Sequence, residues 1–455
     1  MKTTDINTVL LNHIKNKTGA AGCLRTLLGT NANRMNSLVE NLFNAKSDIR
    51  RLYHAQEFAN LVLTIYDFGD ILIMRDIVAK QELRRLISYG KQKDHTAHTV
   101  YLYLLGIWLY DHSKKFRTAF MNTINESNAT NAARKFLSQW LDASLLHDIG
   151  YAFFDLSDDT IQDRMVIDDI YSWRWITELY SRDEMTARRP KESSMLKFRA
   201  IHDDWLNKHG KHMPPPTASY SHGQTIEVLK RLDSAPWLAA LKGDDDWKSG
   251  SVSRALSLGR GWLDLMNYGE QVARKGYASK NPTPGCVDHA VASGLLLFQY
   301  TSYWYWLMNQ ARIQNKFLYE KIRGKHTYEI EHLQDEVVPA CRAVAYHNVQ
   351  STVAGADRIL KEVTLMKHPL VYLAILCDEL QNWDRYPAGD ELFINIEECA
   401  FKYIEGGEIL LKLNGHKSKK PTFTVRHKSA DSIVSNVTKA LARIPNWKQL
   451  LEYKA

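Results

Sequence analysis

Apolar residues recur along most of this chain at intervals of three and four, the spacing of one helix face, and the texture changes in only a few places. Residues 1–90, with runs such as MNSLVENLFNAKSDIRRLYHAQEFANLVLTIYDFGDILI, alternate in this way and predict two or three amphipathic helices that serve as a packing scaffold. At 91–113, KQKDHTAHTVYLYLLGIWLYDHS, the chain turns abruptly from basic and polar to almost continuously apolar, which predicts a buried helix with His95 and His98 sharing a face at its start. A second apolar helical segment, Ser138 to Tyr151, reads SQWLDASLLHDIGY and ends on His147, Asp148 and Gly150.

From Asp155 to Gly285 charge runs, a proline cluster at Pro214 to Pro216 and short periodic stretches predict an insertion of helices and loops. The segment from Ala290 to Arg312, containing AVASGLLLFQYTSYWYWLMNQA, is long enough to span a bilayer, but Ser293, Gln299, Thr301 and Ser302 interrupt it and a buried helix is the expectation. Pro369 opens a further apolar helix, PLVYLAILCDELQNWDR. After Arg385 the period shortens. Glu398 to Gly415 reads as a hairpin around Glu-Gly-Gly, Thr422 to Arg426 as a strand, and Ala430 to Tyr453 as a last amphipathic helix.

Six polar side chains sit at or inside apolar helical segments: His98, His147, Asp148, His289, His347 and Asp378. A carboxylate that follows Leu373, Ile375 and Leu376 would lose several kcal/mol on burial unless a cation met it. His147 and Asp148 are neighbours, and on a helix their side chains would diverge by about 100°, approaching one ion from different directions. Imidazole and carboxylate donors suit iron, manganese, zinc, nickel or cobalt rather than calcium, and six of them exceed what one catalytic ion with open positions uses. One or two ions are therefore expected, with Asp148 as the natural bridge of a pair. Such a pair activates water near neutral pH and clamps phosphoryl oxygens during in-line attack, which makes His147 and Asp148 the catalytic candidates. Of the other histidines, His13 and His54 read as packing residues and His209 and His212 as solvated, while His222 is a reserve candidate.

With 455 residues and 45% hydrophobic content the chain can bury one large core or two moderate ones, which excludes a disordered or fibrous protein. Twelve tryptophans and twenty-two tyrosines point to an aromatic-rich interior. The net charge of +8 is a mild bias towards anionic partners such as phosphates or nucleic acid. Five cysteines, never in a C-x-x-C pair, indicate neither a disulfide framework nor a zinc ribbon but reduced thiols. The first residues, MKTTDINTVLLNHIKNK, lack the apolar core of an export signal, so a cytoplasmic protein without a membrane partner is expected.

The stretches HTVYLYLLG at His98, LLHDIG at His147 and Asp148, DHAVASGLLL at His289, AVAYHN at His347 and LAILCDELQNWDR at Asp378 resemble, in order, the HD superfamily of metal-dependent phosphohydrolases. The order H, HD, H, H, D is similar to that of its dinuclear branch. The resemblance implies a helical bundle over 91–390 with an insertion at about 155–285; with the helical scaffold over 1–90 and the small α+β region over 391–455 that the periodicity predicts, the fold expected is mainly α. His98 to His147 spans 49 positions and His347 to Asp378 spans 31, both ordinary for the family, whereas the 141 positions from Asp148 to His289 hold the insertion. It further implies that His98, His147, Asp148 and Asp378 are the core metal ligands and that His289 and His347 complete a second position. Tyr151 stands where some cyclic-dinucleotide-cleaving members carry lysine, and the GYP signature is missing, which argues against cyclic di-GMP as substrate. Tyr151, Asn348 and Arg385 are the substrate contacts that position suggests.

The leading expectation is hydrolysis of a phosphate ester or anhydride, of a nucleotide or a nucleotide-derived molecule. The basic balance keeps a nuclease acting on single strands as an alternative. A non-catalytic scaffold that binds a nucleotide is the third. Neither the oligomeric state nor the identity of the ion follows from the residues.

Overall fold

A computed structural model describes residues 3–64, 95–150, 289–314, 328–348 and 363–380, the strand segments 401–404, 422–425 and 452–454, and a few single positions, among them Arg75, Val78 and Glu82. The insertion, with His202, His209, His212 and His222, lies outside the described residues, as do Tyr151 and Arg385. The described chain is mainly helical, as the apolar periodicity requires.

Before residue 65 four helices form where two or three were expected: α1 (Ile6–Ile14), α2 (Gly19–Leu28), α3 (Ala32–Phe43) and α4 (Asp48–Leu63). The extra break comes from glycine. Gly19 and Gly29 take φ of 67° and 54°, conformations that a side chain resists, and so separate α2 from its neighbours. In α3 the buried Met35, Leu38, Val39 and Leu42 recur at helical spacing. Ser47 caps α4 by accepting from the Arg50 N–H.

Helix α5 (His95–His112) is buried on every side from Thr96 to Tyr110 and contacts α1, α2, α4, α6 (Lys114–Thr123), α7 (Ala129–Leu145) and α10 (Pro369–Leu380). A helix apolar all round belongs at the centre of its core. Its ends are held by distant side chains. The buried Glu82 carboxylate accepts from the backbone N–H groups of His95 and Thr96 at the start of α5. Near the other end, Asp111 accepts from the Ala20 and Ala21 N–H groups at 2.6 and 3.1 Å, capping α2, and pairs with His13 at 3.0 Å. Arg117 donates to the Tyr110 and Asp111 carbonyls that end α5. Between these ends Gly106 lets α7 approach closely: a Cβ there would lie 2.1 Å from Trp140 Cε2. The Trp140 indole N–H donates to the Tyr103 carbonyl at 3.0 Å.

Two compact units divide the chain. The first comprises 1–65, 78–145 and 346–455; the second comprises 66–77 and 146–345. Within the first lies a sheet of order β1-β2-β3-β4, built from Thr3–Asp5, Phe401–Ile404, Thr422–Val425 and Glu452–Lys454. β1 to β3 pair antiparallel and β4 joins β3 in parallel. Glu452 and Tyr453, expected at the end of a helix, are therefore strand residues. Most of the expected hairpin and final helix lies outside the described residues.

In the second unit, α8 (His289–Gln314) packs against α9, which begins as Ile330–His332, passes through a π-helical turn at Leu333–Val337 and continues as Val338–Tyr346. Gly294 makes the close approach possible, since a Cβ there would lie 2.6 Å from that of Ala345. No helix among the described residues is long and apolar enough to cross a membrane.

Candidate metal centre

His98 lies one turn into α5, on the end that Glu82 holds, and Asp378 lies in α10; both are buried. His98 Nε2 is 3.3 Å from Asp378 Oδ1. Histidine and aspartate thus meet inside a core otherwise lined by residues such as Leu102, Leu373 and Ile375.

The His-Asp dipeptide is not on a helix, contrary to the expectation for Ser138 to Tyr151. α7 ends at Leu145, and residues 146–150 form a tight turn in which the Ile149 N–H reaches the Leu146 carbonyl at 3.4 Å. The reason is convergence. Adjacent helical side chains diverge, whereas the turn brings His147 Nε2 to 3.4 Å from Asp148 Oδ1. His289, the first residue of α8, places its Nε2 3.5 Å from the same oxygen. His347, buried, follows directly after α9, as His147 follows α7 after one intervening residue.

The ligand atoms of His98, His147 and Asp148 lie within 4.8 Å of one another, as do those of Asp148, His289 and His347. Asp148 belongs to both sets. Two His/Asp ligand clusters are therefore placed to chelate one or two divalent ions. The donor set fits such an ion. Nitrogen and oxygen ligands at about 2.0–2.1 Å from a tetrahedral ion are about 3.4 Å apart, and the three nitrogen-to-oxygen separations above run from 3.3 to 3.5 Å. Ordinary N–H···O hydrogen bonds are shorter, at about 2.9–3.0 Å.

No cysteine belongs to either set among the described residues; burial, and then the adjacent Asp378 carboxylate, push the Cys377 thiol well above its ordinary value. The donors are imidazole and carboxylate, which suits borderline first-row ions.

Four of the five expected stretches contribute a residue to the two sets; Asp378, from the fifth, belongs to neither and meets them only through His98. Asn348, beside His347, is half-buried. Two supporting residues carried no sequence signal. Glu82 lies in a stretch without pattern. Ser293 reads as no more than an interruption of an apolar run, yet its hydroxyl accepts from the Gly150 N–H and donates to the His289 carbonyl, both at 2.7 Å.

No model of a known protein family, no curated protein and no solved structure matches this chain. The buried His/His/Asp and His/Asp/His clusters resemble an HD-type metal site and are consistent with metal-dependent hydrolysis in general.

Proposed function

We propose that the chain is a metal-dependent phosphohydrolase that cleaves a phosphate ester or anhydride of a nucleotide or nucleotide-derived molecule. The observation that carries this reading is the pair of buried His/Asp ligand sets with Asp148 in common. His98, His147, Asp148 and Asp378 would hold one ion, and His289 and His347 with Asp148 would hold a second. A divalent ion, when bound, supplies Lewis acidity: it acidifies water and neutralises phosphoryl charge. The protein's part is to fix donors in an apolar core, where rigid placement avoids reorganisation during reaction. His147 and Asp148, at a turn rather than in a helix, are the residues that face the reacting groups. Tyr151, Asn348 and Arg385 are proposed to contact substrate.

In this reading residues 91–390 form the hydrolase, with specificity in the insertion at about 155–285. Residues 1–90 are its scaffold, and 391–455 a small α+β appendage. The +8 balance favours a polyanionic substrate as a second reading, in which single-stranded nucleic acid is cleaved.

The test is metal analysis of purified protein, followed by phosphate-release and single-strand cleavage screens of wild type and Asp148→Ala. Metal-dependent turnover lost in the variant is expected. Equal turnover by both proteins refutes the hydrolase. Bound nucleotide left intact identifies a non-catalytic scaffold instead.

A further inference from the structure

Inside the second unit one buried hydroxyl ties the His147–Gly150 turn to the first turn of α8. A serine hydroxyl has one proton to donate and lone pairs to accept with. Ser293 gives its proton to the His289 carbonyl and accepts the Gly150 N–H. Its exposure is 0%. The two backbones touch at this point: a Cβ on Gly150 would lie 2.2 Å from the His289 carbonyl oxygen and 2.7 Å from both the Ser293 nitrogen and hydroxyl. No water fits between them, and only glycine permits the approach.

The same two backbone segments carry Asp148, two residues before Gly150, and His289, whose carbonyl is the one held. Their side chains stand 3.5 Å apart. Metal–ligand distances tolerate about ±0.2 Å, so a shift of a few tenths of an ångström in this contact spoils a shared ion. We propose that Ser293 is a positioning residue for the metal centre: through Gly150 and the His289 carbonyl it sets the Asp148–His289 spacing, and with it the affinity of the Asp148/His289/His347 set. The inference rests on the metal-dependent reading above.

The experiment uses the full chain, stripped with chelator and titrated with Mn²⁺ by calorimetry and electron paramagnetic resonance. Wild type binds in two events, and His289→Ala identifies which one belongs to its set. Ser293→Ala weakens that event about tenfold or more, since it leaves the Gly150 N–H without its acceptor in a dry site. The other event stays within threefold. Ser293→Thr, whose hydroxyl also reaches the carbonyl four residues back, retains both. Gly150→Ala, which keeps the serine but pushes its hydroxyl and the same carbonyl away from the turn, reproduces the loss. It decides the matter should Ser293→Ala not fold.

A merely structural role lowers the melting temperature in chelator without changing the ratio of the two affinities, and that outcome overturns the proposal. So does retention of both affinities in Ser293→Ala and Gly150→Ala, or a single wild-type event that His289→Ala leaves unchanged. Absence of any Asp148-dependent Mn²⁺ binding in wild type is a different failure, that of the metal reading itself.

Discussion

Asp378→Asn separates a metal ligand from a structural carboxylate by the sign of its effect with and without metal. The amide keeps the volume and leaves an oxygen within reach of His98 Nε2, which now stands 3.3 Å from Asp378 Oδ1. In chelator the variant removes a buried charge and keeps a hydrogen-bond acceptor, so its stability changes by less than about 1 kcal/mol. With metal the case differs. At a free ion concentration 100 times the dissociation constant, binding stabilises the wild type by about 2.7 kcal/mol. Supporting residues outside a metal's ligand set already change affinity by about 10–100-fold, so replacing a direct ligand weakens it by about 100-fold. The stabilisation at the same concentration then falls to about 0.4 kcal/mol. At about 1 °C per kcal/mol for a chain of this size, the metal-linked rise in melting temperature drops from about 3 °C to about 0.4 °C. Calorimetric melts of both proteins in chelator and in Mn²⁺ measure it. An equal metal-linked rise in the two proteins refutes Asp378 as a ligand.

Three further outcomes follow from the packing. Gly106→Ala gains about 1 kcal/mol of helix propensity but drives a methyl into the Trp140 indole. Overpacking and the strained Trp140–Tyr103 hydrogen bond outweigh that gain, for a net loss of about 2 kcal/mol in urea unfolding. Glu82→Ala strips the acceptor from the His95 and Thr96 N–H groups and costs about 2 kcal/mol, while Glu82→Gln, which keeps an acceptor oxygen, costs less than half of that by the same measurement. Burial, reinforced by the neighbouring His13, pulls His112 down to about 4 from its ordinary 6.5. The unfolded chain therefore binds a proton between pH 6.5 and 4 that the folded chain refuses, so stability falls as pH drops through that window and levels off below it. His112→Gln removes that component, and equal pH slopes for variant and wild type would refute it.

Helical organisation was legible because burial imposes a period on sequence: the runs around His98, His147 and Asp378 become α5, α7 and α10. The residues of the candidate site stood out for a related reason, since ionisable groups beside leucine and isoleucine have to be compensated. Local geometry at the site was not. The run SQWLDASLLHDIG has no breaker before Gly150, and the end of α7 at Leu145 is set by what His147 and Asp148 must meet, a tertiary demand. Glu82 and Ser293 escaped because each acts on a backbone group far away in sequence, His95 being 13 positions off and Gly150 143. Such partners leave no period. The extra helix boundary in residues 1–64 rests on the backbone sign of Gly19, and the Asp111 cap that fits against it comes from a helix 90 positions later.

The residues of the candidate site stand on two kinds of support. His98 and Asp378 project from within helices whose hydrogen bonds must break before the residues can move far, whereas His147, Asp148 and His347 occupy turns just beyond helix ends. Opening a buried helix approaches global unfolding in free energy, while a terminal turn opens at much lower cost. Hydrogen exchange should accordingly find the amides of α5 and α10 among the slowest and those of 147–149 among the faster ones. An ion would then leave by a brief rotation of the turns, at a rate set there and not by the stability of the core.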